Sequence, residues 1–214
     1  MRMFRFSAGT FMASLPENNP LDTKAKPMLV TLIGDSIRKG YEASVSAELS
    51  DRAETWGPEQ NGGDSENVLN HLDEWVLERN PDIVHMNCGL HDLRTSDGDY
   101  QVPLDNYVHN LHEIIDRLRG EFAGKLIWAT TTPVIDERHQ SVKPFERHEE
   151  DVHRYNEGAL AVMRSHGVPI NDLHEVVVNA GPPQLLKQDG VHFTEEGYKL
   201  LGEHVASSIL TMVD

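Results

Sequence analysis

The chain has 214 residues, of which 38% are hydrophobic, and its 35 acidic against 19 basic residues give a formal net charge of −16. That charge repels a phosphate backbone and an anionic membrane surface, so we expect neither nucleic acid nor a membrane as a partner. No apolar run reaches the ~20 residues that cross a bilayer. The single cysteine, Cys88, excludes an internal disulfide, and the 12 histidines lack the HExxH or HxH spacing that would predict a metal site.

Residues 1–27 differ in composition from the rest of the chain, because they are rich in small and polar residues and in proline. Two arginines followed by apolar residues resemble an export signal, but Ser7, Gly9 and Thr10 interrupt the apolar stretch and no clear cleavage site follows. We expect a loosely docked or disordered arm over 1–27 and a single domain over 28–214. A cytoplasmic location is expected, with export left open.

Five short segments rich in branched apolar residues predict buried strands. In chain order they are 28–33, 53–56 (the weakest of the five), 82–86, 125–130 and 168–170. Four sets of apolar residues at helical spacing predict helices between and after them. These sets are Val68, Leu69, Leu72, Trp75 and Val76; Tyr107, Val108, Leu111, Ile114, Ile115 and Leu118; Tyr155, Leu160 and Met163; and Leu200, Leu201, Val205 and Ile209.

Strand and helix alternate along the chain, which predicts an α/β fold with a parallel sheet covered by helices on both faces. Asp64 or Ser65 is expected to cap the first of the four helices, and Thr194 the last. In such sheets the ligand site lies beyond the carboxyl ends of the strands. The residues that follow each strand are therefore the candidates for chemistry.

Ser36 follows the first strand and stands at the start of a helix, where backbone N–H groups and the helix dipole favour negative charge. A serine there could equally serve only as a helix cap. The loop 60–65 follows the second strand, and its paired glycines, Gly62 and Gly63, let backbone N–H groups approach a ligand. The polar segment 87–92 follows the third strand and suits either a site wall or an ordinary turn.

Asp189 precedes His192 by three residues on a loop before the last predicted helix. At that spacing the carboxylate can hydrogen-bond the imidazole and orient it as the base that a serine nucleophile requires. A surface Asp–His pair is the alternative. Because all four segments fall at one edge of the predicted sheet, together they could supply a nucleophile, oxyanion donors, a base and its orienting carboxylate.

These segments resemble the four sequence blocks of the SGNH/GDSL hydrolases, serine esterases and acylhydrolases with a flavodoxin-like, three-layer αβα fold of about five parallel strands. Residues 34–36 match the first block, whose serine is the nucleophile, and 63–65 resemble the second, whose glycine N–H donates to the oxyanion. Residues 89–92 resemble the third block, normally Gly-x-Asn-Asp, and 189–192 match the Asp-x-x-His block.

The resemblance implies that Ser36, Asp189 and His192 are catalytic, and that no metal or organic cofactor is needed. It implies an oxyanion hole made by the backbone N–H groups of Ser36 and Gly63 and by the side chain of His91. Asp35, Asn61 and Asp92 are candidate substrate contacts.

His91 departs from the family pattern, because it stands where an asparagine donor is expected. A neutral imidazole still donates one N–H, whereas losing an oxyanion donor outright costs roughly 2.7–4 kcal/mol in other enzymes. Arg38 stands where the nucleophile elbow of α/β-hydrolases has its second glycine, so that fold is rejected.

The sequence therefore predicts a serine hydrolase that cleaves carboxylic esters through an acyl-enzyme on Ser36. No long apolar segment offers a lid or an acyl groove, which favours short acyl groups such as O-acetyl on a carbohydrate or small molecule. The alternatives are a lysophospholipase or thioesterase, and a catalytically weak binding protein in which His91 marks decay. A further alternative is a metal-dependent hydrolase using His91, Asp92, Asp189 and His192. The sequence sets no expectation for the oligomeric state.

Overall fold

The computed structural model describes residues 27–213, so the predicted arm lies outside the described residues except for Pro27. In chain order the elements are β1 (Met28–Ile33), α1 (Ser36–Leu49), β2 (Ala53–Trp56), α2 (Ser65–Asn70), a π-helical turn (Asp73–Leu77), β3 (Ile83–Met86), β4 (Thr95–Ser96), β5 (Asp99–Tyr100), α3 (Leu104–Glu121), β6 (Lys125–Ala129), α4 (Asp136–Gln140), α5 (Glu149–Ser165), β7 (Ile170–Asn171), α6 (Leu173–Ala180), α7 (Pro182–Leu185) and α8 (Glu195–Leu210).

Five strands form the central sheet, in the order β2-β1-β3-β6-β7, and every neighbouring pair is parallel. The last four residues of β1 and all of β3 are buried, as expected of strands covered on both faces. The predicted parallel sheet is confirmed. All five strands end at one edge, which brings the loops after β1, β2, β3, β6 and β7 together.

Helices cover both faces of this sheet, which gives the predicted three-layer αβα sandwich. Helix α1 packs against α8 in one layer, and α3 packs against α2 and α5 in the other. Their apolar faces are buried; in α3 these are Tyr107, Leu111, Ile114, Ile115 and Leu118. None of the helices between residues 27 and 213 is long and apolar enough to cross a membrane.

The structure confirms two of the predicted caps. The Asp64 carboxylate accepts a hydrogen bond from the N–H of Asn67 at 2.9 Å and caps α2, and the Thr194 hydroxyl accepts from the N–H of Gly197 at 3.2 Å and caps α8. Both side chains satisfy a backbone donor that the first helical turn leaves without a partner. Helices α2 and α8 therefore begin where the sequence placed them.

Two boundaries differ from the prediction by more than one residue. The helix expected to run through Val76 ends at Asn70 and continues as a π-helical turn, in which the N–H of Glu78 donates to the carbonyl of Asp73. The last strand begins at Ile170, two residues later than expected, because the N–H of Val168 donates to the carbonyl of Met163 and closes the end of α5.

Candidate active site

The turn between β1 and α1 holds Ser36 at the carboxyl edge of the sheet. The Asp35 carboxylate accepts from the N–H of Ile37 at 2.8 Å and caps α1, whose first residue is the half-buried Ser36. The carbonyl of Gly34 accepts from the N–H of Gly62 at 3.0 Å, which joins the loop after β2 to this turn. A Cβ on Gly34 would lie 2.7 Å from Cβ of Arg38, so the turn requires glycine there.

Ser36, His192 and Asp189 form one hydrogen-bonded chain. The Oγ of Ser36 lies 2.9 Å from Nε2 of His192, and Nδ1 of His192 lies 2.7 Å from Oδ2 of Asp189. With Nδ1–H donating to the carboxylate, Nε2 is the nitrogen that can accept the serine proton. The structure thus brings together three residues that the sequence predicts to be catalytic, although Ser36 lies far along the chain from Asp189 and His192.

The loop around Asp189 fixes its carboxylate. Its Oδ1 accepts from the backbone N–H groups of Val191, at 3.1 Å, and His192, at 2.9 Å. Burial raises the pKa of Asp189, but these hydrogen bonds and the one from the imidazole outweigh burial and leave the pKa below its usual value. The N–H of Ile135 donates to the carbonyl of Gly190 at 2.8 Å and anchors the loop to the segment after β6.

The two predicted backbone donors of the oxyanion hole differ in their present partners. The N–H of Ser36 has no acceptor within the part of the chain that the structure describes. The N–H of Gly63 donates to the side-chain oxygen of Asn61 at 2.9 Å. Gly63 has a φ of +64°, a conformation that glycine adopts without strain. An oxyanion would therefore have to share this N–H with Asn61 or displace it.

Asn61 was expected to contact substrate, and the structure instead engages its oxygen within its own loop.

His91 lies in the turn after β3 and is half-buried. Its ring has no hydrogen-bond partner among residues 27–213, so its N–H is not committed elsewhere. Burial lowers the pKa of the imidazole; Asp35 and Asp64 raise it, Arg147 and Arg94 lower it, and the net result is below the usual value. The ring is therefore neutral at neutral pH and offers one N–H donor.

Asp35 and Asp92 are buried, which argues against the substrate contacts expected of them. Asp35 serves the helix cap described above, while Oδ1 of Asp92 accepts from the N–H of Ser65 at 2.9 Å. The Asn110 amide donates to the hydroxyl of the same serine. Burial raises the pKa of Asp92 to about 7. Each carboxyl thus accepts a hydrogen bond from a backbone N–H close in sequence to a predicted site residue.

The sequence did not identify Arg147 as a site residue, although the structure places it next to the His91 turn. Its Nε donates to the carbonyl of Leu90 at 2.6 Å, and its guanidinium lies 5.1 Å from the ring centre of Phe145. No motif or periodicity marks this arginine, which lies in the loop between α4 and α5. The contact joins positions 57 residues apart, so the sequence gives no sign of it and only the structure reveals it.

A possible ligand set for a metal shares no residue with the Ser36 triad. Within residues 27–213, the potential metal-ligating groups that meet are Glu149, His153 and His174, whose ligand atoms all lie within 4.8 Å of one another. The Nε2 of His174 is 2.7 Å from Oε1 of Glu149. The residues that the metal-dependent alternative requires are not among them.

Residues 32–200 match the model of the GDSL-like lipase/acylhydrolase family. The chain therefore belongs to this family, and it is an esterase of the SGNH/GDSL hydrolase class. It is similar to the isoamyl acetate-hydrolyzing esterase of Schizosaccharomyces pombe, with 27% identity over 193 residues that cover 84% of this chain and 74% of that protein.

Solved structures share the fold at lower identity. The lipase/acylhydrolase from Enterococcus faecalis superimposes with a TM-score of 0.74 and 24% identity, over 86% of this chain and 96% of that one. The acetyl xylan esterase AlAXEase gives a TM-score of 0.70 and 20% identity, over 85% of this chain and 100% of that one. The acetylxylan esterase Axe2 from Geobacillus stearothermophilus gives 0.66 and 19%, over 85% and 94%.

Proposed function

We propose that this esterase cleaves carboxylic esters with short acyl groups through an acyl-enzyme on Ser36. The observation that carries the proposal is the continuous hydrogen-bonded chain from Ser36 Oγ through His192 to Asp189, with heavy-atom distances of 2.9 and 2.7 Å. A nucleophile needs a base within hydrogen-bond reach, and the base needs a third group to orient it. Both requirements are met at the carboxyl edge of the sheet.

In the first half-reaction, Oγ of Ser36 attacks the ester carbonyl carbon while Nε2 of His192 takes the hydroxyl proton. The ionised Asp189 holds the imidazole in the correct tautomer and stabilises its charged form. The tetrahedral intermediate then expels the alcohol, which leaves with the proton from His192. Water, with His192 again as base, hydrolyses the acyl-enzyme and releases the carboxylic acid.

The oxyanion forms beside the N–H of Ser36, at the start of α1, where the helix dipole also favours negative charge. Gly63 supplies a second N–H once the oxygen of Asn61 gives way. The neutral imidazole of His91 supplies the third donor in place of the usual amide. Asp92 supports this arrangement indirectly, because it holds the N–H of Ser65 in the loop that carries Gly63.

The similar proteins support short acyl groups. The names of the similar proteins, an isoamyl acetate-hydrolyzing esterase and acetyl xylan esterases, favour acetyl esters of small alcohols or carbohydrates.

The test is a panel of 4-nitrophenyl esters from acetyl to dodecanoyl, with acetylated sugars included. We expect the highest kcat/KM for acetyl, and loss of hydrolysis by at least about 10³-fold in a Ser36→Ala variant. Ser50, an exposed serine at the end of α1, provides the matched control, since Ser50→Ala should leave the rates unchanged. A preference for long acyl chains would instead favour a lysophospholipase or thioesterase.

The remaining alternatives give different results in two simple assays. A binding protein that had lost catalysis would not react with a fluorophosphonate, whereas the proposed enzyme reacts at Ser36. A metal-dependent hydrolase would lose activity to a chelator and regain it with a divalent ion. We expect full activity in the presence of the chelator, because the proposed steps use only side chains and water.

A further inference from the structure

Among residues 27–213, the two buried cationic side chains are Arg38 and Arg147, and their partners differ. Arg38 forms an ion pair with Glu42 and also donates to the carbonyl of Pro58 at 2.6 Å. Arg147, only 6% exposed, has no carboxylate within ion-pair distance and makes one hydrogen bond, from Nε to the carbonyl of Leu90. Its two terminal amino groups have no protein partner in the described residues. Burying a charge in this way is costly unless something compensates it.

The position of Arg147 connects it to both sides of the triad. The carbonyl that it contacts belongs to the residue directly before His91. The ring of Phe145, which Arg147 faces, lies 5.3 Å from the ring of His139, and Nδ1 of His139 lies 3.3 Å from the backbone oxygen of Asp189. The side chains of Arg147, Phe145 and His139 therefore form one wall between the turn that holds His91 and the loop that holds Asp189.

A second cation shares this wall. The guanidinium of Arg94 lies 3.9 Å from the ring centre of Phe145, and this side chain has no hydrogen bond or ion pair within residues 27–213. Burial lowers the pKa of Arg147 to about 10, so its guanidinium is charged at neutral pH. The charges of Asp35 and Asp189 raise the pKa of Arg147, but neither carboxylate lies within ion-pair distance of it, and each accepts hydrogen bonds from other groups. In a chain of net charge −16, the two guanidinium groups of this wall thus have no direct carboxylate partner among the described residues.

We infer that Arg147, with Arg94 beside it, binds an anionic group in the alcohol portion of the ester substrate. The inference rests on the proposed function, because it assigns a substrate class to the same site. A guanidinium binds carboxylate, sulfate or phosphate through parallel N–H donors, and the terminal amino groups of Arg147 are free for this contact. The proposed short acyl group, such as acetyl, carries no charge, which leaves the anionic group to the alcohol portion.

The test compares two aryl acetates that differ in one charge, 4-acetoxybenzoate and the neutral 4-acetoxybenzamide. We expect the wild-type enzyme to have the higher kcat/KM for 4-acetoxybenzoate, through a lower KM. Replacing Arg147→Gln should lower the ratio of the two kcat/KM values at least about tenfold, as expected when a charge-assisted hydrogen bond is lost. Arg147→Lys should keep part of the ratio, and Arg164→Gln, at an exposed position of α5, should leave it unchanged.

A measurement on the wild-type enzyme covers the case in which a variant of Arg147 does not fold. Sulfate should inhibit hydrolysis of 4-acetoxybenzamide competitively when chloride keeps the ionic strength constant. Absence of this inhibition, or an Arg147→Gln variant that loses both activities equally, would overturn the inference and leave Arg147 a purely structural role. Either result leaves the proposed esterase mechanism intact, because that mechanism is tested separately by hydrolysis of the neutral ester and its loss in Ser36→Ala.

Discussion

The side-chain oxygen of Asn61 accepts a hydrogen bond from the N–H of Gly63 at 2.9 Å. This N–H is the one that the family pattern assigns to the oxyanion. An oxygen already held at hydrogen-bond distance marks the place where a negatively charged oxygen could be accepted. The site therefore has an acceptor of its own at this donor, and in the proposed mechanism an oxyanion would have to share the N–H with Asn61 or displace it.

If an oxyanion competes with the side-chain oxygen of Asn61 for the N–H of Gly63, two substitutions of Asn61 should have opposite effects. Asn61→Ala frees the N–H, so we expect kcat for 4-nitrophenyl acetate to stay within about threefold of wild type or to rise. Asn61→Asp places a carboxylate at the same point, where it holds the N–H more strongly and repels the oxyanion, so kcat should fall about tenfold or more. Steady-state kinetics on the two variants decide the matter, and equal losses in both would show that Asn61 only shapes the loop.

His91 provides a second prediction, which concerns pH. Burial lowers the pKa of its imidazole, so the ring is neutral from about pH 7 upward and does not change charge there. We expect a His91→Asn variant to remain active, with a pH profile of kcat/KM parallel to that of wild type above pH 7. A profile that separates from wild type between pH 7 and 9 would show that His91 titrates in that range, contrary to this account.

Asp189 gives the third prediction. Replacing Asp189→Asn keeps the shape of the side chain but removes the charge that orients and stabilises the His192 imidazole. A similar change lowers kcat about 10⁴-fold in a well-studied serine protease, and we expect a loss of about 10³-fold or more here. Thermal denaturation should confirm that the variant is folded. A loss below tenfold in a folded variant would remove Asp189 from the catalytic chain.

The fourth prediction concerns stability, through Asp92. Its pKa is raised from 3.8 to about 7, so between these values the unfolded chain is ionised while the folded chain keeps the proton. The contribution of this group to the free energy of unfolding is therefore full below about pH 4 and is lost as the pH rises to 7, at roughly 1 kcal/mol per pH unit.

The Asp92→Asn variant isolates that contribution, because its amide oxygen can still accept from the N–H of Ser65. Urea denaturation at pH 5 and pH 8 should show wild type losing more stability than the variant as the pH rises. If the difference between the two proteins is the same at both values, the carboxyl of Asp92 is ionised throughout.

The sequence predicted the elements whose signals are local. The apolar run of β1, the helical spacing of α3 and the caps of α2 and α8 depend on neighbours within a few residues, and the structure agrees with them. The pair Asp189 and His192 is also local, since three residues separate them. Most of the fold and the outline of the candidate site could therefore be predicted from such local features.

Other features depend on contacts between distant segments and leave no local pattern. Arg147 is placed by a carbonyl 57 positions away, and the burial of Asp92 depends on Ser65, 27 positions away. The acceptor of Gly63 is only two residues off, but whether Asn61 faces solvent or its own loop is decided by how the turn packs against Gly34. The sequence therefore named the candidate reacting groups, but it did not reveal the hydrogen bonds and burial around them.

The acyl-enzyme on Ser36 is the central claim, and covalent labelling tests it most directly. Wild-type enzyme, incubated with a fluorophosphonate and analysed by intact-mass and peptide mass spectrometry, should carry one label, located on Ser36. The Ser36→Ala variant should carry none, and Ser50→Ala should be labelled like wild type. A label on another residue, or no label on a wild-type enzyme that hydrolyses 4-nitrophenyl acetate, would contradict the account.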